Sequence, residues 1–332
     1  MTYSSGGLIQ ATDYNTFVGN TTAGLNRVWS TGSGDAGWGQ TDIATASTGG
    51  TVTATQWASL VNNLSSSGSQ TNTTLTSRTA PTAGTTIGIL ANVAADITSV
   101  TTNRGNAAAV GTEYGVFSGT TSKTTATGSG QAAWTITFTH TITFPSADQA
   151  RYFWNAGGRV RLQYGKSSTG TDVDPDWNTL AGWCGSIYIS GRVNSAAQTI
   201  AGTSYTGTTR ISGTGGTQTT LSTLTGWYQF TGVATTIFQL NNSTAPYTGE
   251  YIRTTATQTS STVLTLVTTW VSDGSGGGAG TTANISGGTA VSSPATSIGA
   301  ATAPTTLVTY IPPATTYLTN SWGTPTIAAS VA

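Results

Sequence analysis

The sequence predicts a mainly β chain, an antiparallel β-sandwich of jelly-roll-like type preceded by a small helical N-terminal module. Three observations carry that expectation. From Trp134 to Phe144 the chain alternates without a break, with Trp134, Ile136, Phe138, His140, Ile142 and Phe144 on one side and five threonines on the other. Such two-residue periodicity marks a strand with one buried face. From about Tyr114 onward, short runs rich in Val, Ile, Thr and aromatic residues are punctuated by Gly, Pro, Asn and Asp, the pattern of a sandwich or barrel. Helical periodicity is confined to roughly the first hundred residues. The boundary therefore falls near residue 110, with a helical module at 1–110 and a β domain at 111–332.

Along the first module, Thr12-Asp13 offers an N-cap, and Tyr14, Phe17, Val18, Leu25, Val28 and Trp29 share one helical face. One helix is expected there. The glycine-dense stretch 31–40, TGSGDAGWGQ, ends it as a loop whose Trp38 docks on the helices. Thr53 and Gln56 have capping-box spacing, and Trp57, Leu60, Val61 and Leu64 follow at helical offsets. A third helix is predicted from Thr86, carrying Ile87, Leu90, Ala94 and Ile97 and weakening near Asn103-Arg104-Gly105. Thr- and Ser-rich helices of this length have low intrinsic stability, so packing against a further surface is needed to hold them.

In the β domain, Pro145 ends the long alternation and Ser146 caps a short aromatic turn, Gln149 to Trp154, released by Gly157-Gly158. Strands are predicted at 159–164, 186–193, 227–230, 236–240, 251–257 and 263–271, with a polar hairpin turn at 258–261. The stretch 263–271, VLTLVTTWV, is apolar or β-branched on both faces and reads as a central strand. The run 272–280 is a Gly-rich loop. A strand at 307–310 follows, and Tyr317, Leu318 and Trp322 give the C-terminal segment a packed end.

Charged residues make up only 7% of the 332 residues, with 11 basic against 11 acidic. The usual share is about a quarter, so no Lys/Arg stripe exists to neutralise phosphates, and nucleic-acid binding is not expected. Weak charge also removes a protection against self-association. No apolar run approaches a membrane span, and no charged and apolar leader opens the chain. One cysteine, Cys184, and one histidine, His140, leave no disulfide framework and no His/Cys metal set.

Candidate chemistry is sparse, and no catalytic, cofactor-binding or metal-ligating residue is assigned. Asp172, Asp174 and Asp176 open like a calcium loop, but Trp177 and Trp183 stand where that loop needs Gly and Glu. The aspartates read instead as caps of a short helix near Trp177 to Leu180. His140 lies on an apolar strand face with no marked partner, so a structural histidine bonded to backbone or lining an interface is expected. The glycines at 213–216 do not join a strand to a helix and so cannot form a phosphate cradle. Ten tryptophans and twelve tyrosines keep a glycan-binding role open.

Several segments are familiar as sequence. YSSGGLIQATDYNTFVG (3–19), GSGDAGWGQ (32–40) and TVTATQWASLVNNL (51–64) together resemble the start of tail-associated virion proteins of tailed bacteriophages, those of cyanobacterial and marine hosts above all. FPSADQARYFWNAGGRVRL (144–162) and PYTGEYIR (246–253) resemble recurrent motifs of the same group. The resemblance implies a non-enzymatic virion component, assembled in the host bacterial cytoplasm. It would be a tail fibre, baseplate or neck appendage subunit, attached to other virion proteins by its N-terminal module. It also implies a homo-oligomer, commonly a trimer in fibre-like appendages, without cofactor, nucleic acid or membrane insertion. A host-surface glycan-binding receptor module and a capsid decoration protein are the alternatives. No triple β-helix repeat is present, which favours a short globular appendage over a long shaft.

Overall fold

The structure is a computed structural model that describes residues 10–84, 92–119, 123–124, 133–166, 174–274, 284–285 and 304–332. The chain opens with α1 (Ala11–Val18), α2 (Asn26–Trp29), α3 (Ala54–Gln70) and α4 (Val93–Thr102). β1 (Tyr114–Gly119), β2 (Lys123–Thr124) and β3 (Trp134–Thr143) follow, then α5 (Ala147–Asn155), β4 (Arg159–Gly165), α6 (Asp174–Cys184) and β5 (Ser186–Ser190). Next come the short hairpin β6 (Gln198–Ile200) and β7 (Thr203–Tyr205), then β8 (Thr208–Ile211) and β9 (Thr217–Leu221). The last strands are β10 (Thr235–Asn241), β11 (Tyr251–Ser260), β12 (Val263–Ser272), β13 (Asn284–Ile285), β14 (Thr305–Ile311) and β15 (Thr326–Val331).

The chain is mainly β, and its two large sheets are antiparallel. One has five strands in the order β1-β14-β4-β5-β8, the other six in the order β15-β3-β12-β11-β10-β9. They face each other where the Tyr164 ring of β4 stacks on Phe238 of β10, with centroids 6.0 Å apart, and its hydroxyl lies 2.8 Å from that of Thr254 on β11. Between them α6 lays Trp177 on Trp270 of β12 at 5.6 Å. Two sequential runs, β4-β5-β8 and β9-β10-β11-β12, each stay within one sheet. At either end of these runs the chain alternates between the sheets, through β1, β3 and β4 and again through β12, β14 and β15, so the sandwich is built from meanders joined by crossings.

β3 behaves as its alternation requires. Ile136, Phe138, His140 and Ile142 are buried, while the intervening threonines are half-buried or exposed. β12 pairs with β3 on one side and β11 on the other, so it is the interior strand expected, although only its even-numbered face is fully buried. The turn joining β11 to β12 is tighter than predicted, because β11 continues to Ser260.

Other expectations are corrected. The single first helix is two, because Gly19 takes a φ of 69° and an added Cβ would sit 2.0 Å from the Ala23 carbonyl oxygen. Asn20 then caps the return, accepting from the Thr22 and Ala23 N–H groups at 2.8 and 3.2 Å. Helix α3 keeps its capping box, with Thr53 Oγ1 accepting from Gln56 N–H at 3.2 Å and Gln56 Oε1 accepting from Thr53 N–H at 2.9 Å. The third helix is described only from Val93, since residues 85–91 lie outside the described residues, as do 275–280 of the Gly-rich loop. The aromatic turn after Pro145 is a nine-residue helix, α5, capped by Ser146 as expected. The predicted strand at 186–193 stops at Ser190, and 227–230 is a single 3-10 turn. Several strands went unread, among them β8 (TTRI), β9 (TQTTL) and β15 (TIAASV), in which polar and small residues predominate.

One continuous core runs through the molecule, from Tyr14, Phe17 and Trp57 to Phe138, Trp154 and Trp270. The C-terminal segment is packed, with Leu318 and Trp322 buried and β15 paired along β3.

Candidate functional site

Helix α1 meets α3, and the loop 31–40 meets α5, although each pair is distant in sequence. Tyr14 and Phe17 of α1 pack on Trp57 of α3, with ring centroids 5.3 and 6.1 Å apart. The loop 31–40 lies along α5. Trp38 is fully buried, and its indole N–H donates to the Asn155 carbonyl at 3.1 Å. Trp38 thus bridges the two halves, its backbone N–H donating to Val28 O of α2 at 2.9 Å while its indole bonds to α5. Arg151 Nη1 donates to Ala36 O at 2.7 Å, Asn155 Nδ2 to Gly37 O at 3.1 Å, and the Tyr152 ring lies flush against Gly39. Gly39, at φ 69°, leaves no room there for any side chain. Asp35 closes the other end, accepting from Arg104 Nη2 at 2.7 Å and from the Asn194 N–H. Gln40 fastens the C-terminal segment by accepting from Thr319 N–H at 2.8 Å and donating to Thr319 O at 3.0 Å.

Beneath this junction α5 presents an aromatic cluster. Phe153 lies 5.2 Å from Phe144 and 6.4 Å from Tyr310, and Trp154 stacks on Trp227 at 5.4 Å. Their burial makes these rings packing elements. Tyr228, whose hydroxyl donates to Asn155 Oδ1 at 2.6 Å, has its pKa pushed up by burial.

Two grooves open on the surface near residues 108–110. The larger, about 530 Å³, is lined by Val110, Pro312 and Pro313, with its aromatic residues Tyr310 and Trp322 buried. The other, about 480 Å³, runs along α3. Its floor is Leu64 and Leu75, the latter lying so close to Gly68 that an added Cβ would sit 2.4 Å from Leu75 Cδ1. Ser65, Ser69 and Asn72 of α3 and its C-terminal end are exposed along one wall, and Thr74 stands on the adjoining segment. Tyr317 lines the groove and is 38% exposed, which makes it one of the few large side chains open to solvent among the described residues. Arg78, the sole charged residue in this lining, is paired to Asp96 at 2.5 Å.

The residues weighed from sequence do not converge. His140 is fully buried, and neither ring nitrogen has a hydrogen-bond partner, so the backbone bond expected of it is not formed. Burial alone lowers its pKa to about 4, which leaves it neutral. Asp174 is the first residue of α6, Asp176 is half-buried with a pKa raised by desolvation, and Asp172 lies outside the described residues. Cys184 is buried and its thiol is pushed up in pKa by desolvation. The glycines at 213–216 form the turn that carries the chain from β8 in one sheet to β9 in the other, with Gly215 against the Trp183 indole.

Several buried ionic groups escaped the sequence reading, Arg159 and Glu250 among them. Arg159 donates to the Tyr205 hydroxyl and lies over that ring at 4.6 Å, and burial lowers its pKa. Glu250 is fully buried. Its Oε1 accepts from Ser272 Oγ at 3.4 Å while Oε2 has no partner, and desolvation, reinforced by Asp176 and Asp273, raises its pKa to about 8. Nothing in the local sequence, a Gly-Glu-Tyr triplet between a turn and a strand, distinguishes a buried glutamate from a solvated one. Among the described residues, no group of three or more His, Cys, Asp or Glu is arranged to hold a metal, and no helix is long and apolar enough to cross a membrane.

No family model matches this chain, and neither any curated protein nor any solved structure is detectably similar to it.

Proposed function

We propose that the chain is a structural protein of a tailed-bacteriophage virion, a tail fibre, baseplate or neck appendage subunit that works by oligomeric packing. The observation that supports this reading is the junction. Segments 32–40 and 144–162, more than a hundred residues apart, interlock through Trp38, Arg151 and Asn155, while helix α1 and segment 51–64 meet at Trp57. Four of the five segments whose resemblance suggests a virion protein thus contribute to contacts between parts distant in sequence. Most of them fill the core, which is what a component selected for rigidity and assembly requires. A net charge of zero on so few ionic groups suits a chain that sits among other subunits.

Two measurements test the reading. Light scattering on the purified chain is expected to give a discrete oligomer, and immunogold labelling of the phage particles is expected to mark tail, baseplate or neck. Label on the head would favour a capsid decoration protein. A monomer absent from particles would sink the proposal.

A further inference from the structure

The groove along α3 combines an exposed ring with hydroxyl and amide groups open to solvent. We propose that it is a binding subsite for an uncharged oligosaccharide, with Tyr317 as the stacking platform and Ser65, Ser69, Asn72 and Thr74 as partners for sugar hydroxyls. A pyranose has an apolar C–H face and a rim of hydroxyls. It therefore needs an aromatic or aliphatic surface flanked by neutral donors and acceptors. This groove supplies both, Tyr317 and Leu75 for the face, and the wall of α3 for the rim. Its volume of about 480 Å³ falls within the roughly 300–1,000 Å³ of small-ligand sites.

The charge pattern selects the class. Phosphorylated or carboxylated ligands need an available cation, and Arg78 is held by Asp96 with both side chains nearly buried, at 6% and 11% exposure. A lipid tail would leave the Ser, Thr and Asn groups of the wall without water or partners, whereas sugar hydroxyls would satisfy them. The larger groove at Pro312-Pro313 does not compete, because its aromatic side chains face the core and present no ring to a ligand. Asn72 is suited to its place. Its φ of 50° puts the backbone in the left-handed region that asparagine tolerates, and this turns the chain out of α3 at the groove wall.

The test uses the full chain and saturation-transfer NMR with maltohexaose, cellohexaose, chitohexaose and dextran. A hyaluronan hexasaccharide and ATP serve as anionic probes. Transfer to at least one neutral oligosaccharide is expected, with none to the anionic probes. Calorimetry with the best binder should show at least a tenfold loss of affinity in Tyr317→Ala and retention in Tyr317→Phe. Asn72→Gly keeps the backbone conformation accessible and should also weaken binding, by several-fold. Thermal melting of all three variants should match the parent. Silence from every neutral probe, a preference for the anionic ones, or undiminished binding by Tyr317→Ala would each overturn the site. A chain found in particles that binds none of these sugars would lose this inference and keep the assembly reading, and the reverse result would do the opposite.

Discussion

His140 and Glu250 are buried ionisable groups whose folded-state pKa values move in opposite directions, and together they give the pH dependence of stability a specific shape. His140 titrates near 4 in the fold against 6.5 when exposed, so between those values the unfolded chain binds the extra proton. Stability from this group is complete above pH 6.5 and is lost as pH falls toward 4. Glu250 titrates near 8 against 4.5, so the folded chain holds the extra proton, and stability is lost as pH rises from 4.5 to 8. Each slope is about 1.4 kcal/mol per pH unit. Relative to the parent, His140→Phe should gain stability as pH drops from 6.5 to 4, by roughly 3 kcal/mol in all. Glu250→Gln should gain as pH climbs from 5 to 8. Urea unfolding between pH 4 and 8 reads both, and a variant that tracks the parent at every pH would show that its residue is not the source. The burial of His140 is legible in the sequence, since it sits at an inward position of a strict alternation. Its lack of any partner is not, because partners come from segments distant in the chain. Glu250 is invisible for the same reason.

At the scale of elements, the strongest local signals survive and the weak ones yield to tertiary contacts. The capping box of α3, the Ser146 cap of α5 and the alternation of β3 are each set by a few neighbouring residues. Strands β8, β9 and β15 carry mostly threonine, serine and alanine, and exist because adjacent strands offer their backbones. Their side chains give no period to read. The 3-10 turn at Trp227 shows the opposite failure, where aromatic composition suggests a strand and stacking on Trp154 holds a turn. Helix α5 is the element on which most depends. Phe153→Ala should destabilise the chain by about 3–5 kcal/mol, the range for emptying a buried aromatic site. Trp38→Ala should cost a similar amount although it lies in a glycine-rich loop, because its indole fills the same core from the other side. A loss below about 1 kcal/mol in Trp38→Ala, the level of surface substitutions, would mean that the loop merely rests on α5.

Across the whole molecule, the sandwich class was legible from periodicity and turn residues, while the pairing order was not. Order depends on which polar strands sit at the edges and on repeated crossings between the sheets, among them the glycine turn from β8 to β9 and α5 from β3 to β4. The helical segment read as a module of its own shares a single core with both sheets. Thermal or urea unfolding followed by far-UV and near-UV circular dichroism should therefore give coincident transitions. A fragment of residues 1–110 should lack a dispersed NMR spectrum, because Trp38, Gln40 and Gln70 all bond to residues beyond it, Gln70 Nε2 reaching Ala156 O at 3.0 Å. A well-dispersed spectrum from that fragment would refute the shared core. The interlock of 32–40 with 144–158 also bears on inheritance. A recombination event that exchanged the first hundred residues for those of another protein would deliver a loop without its socket. Viable chimaeras should carry both segments from one parent, so that the unit of exchange is a pair of distant segments and not a contiguous head.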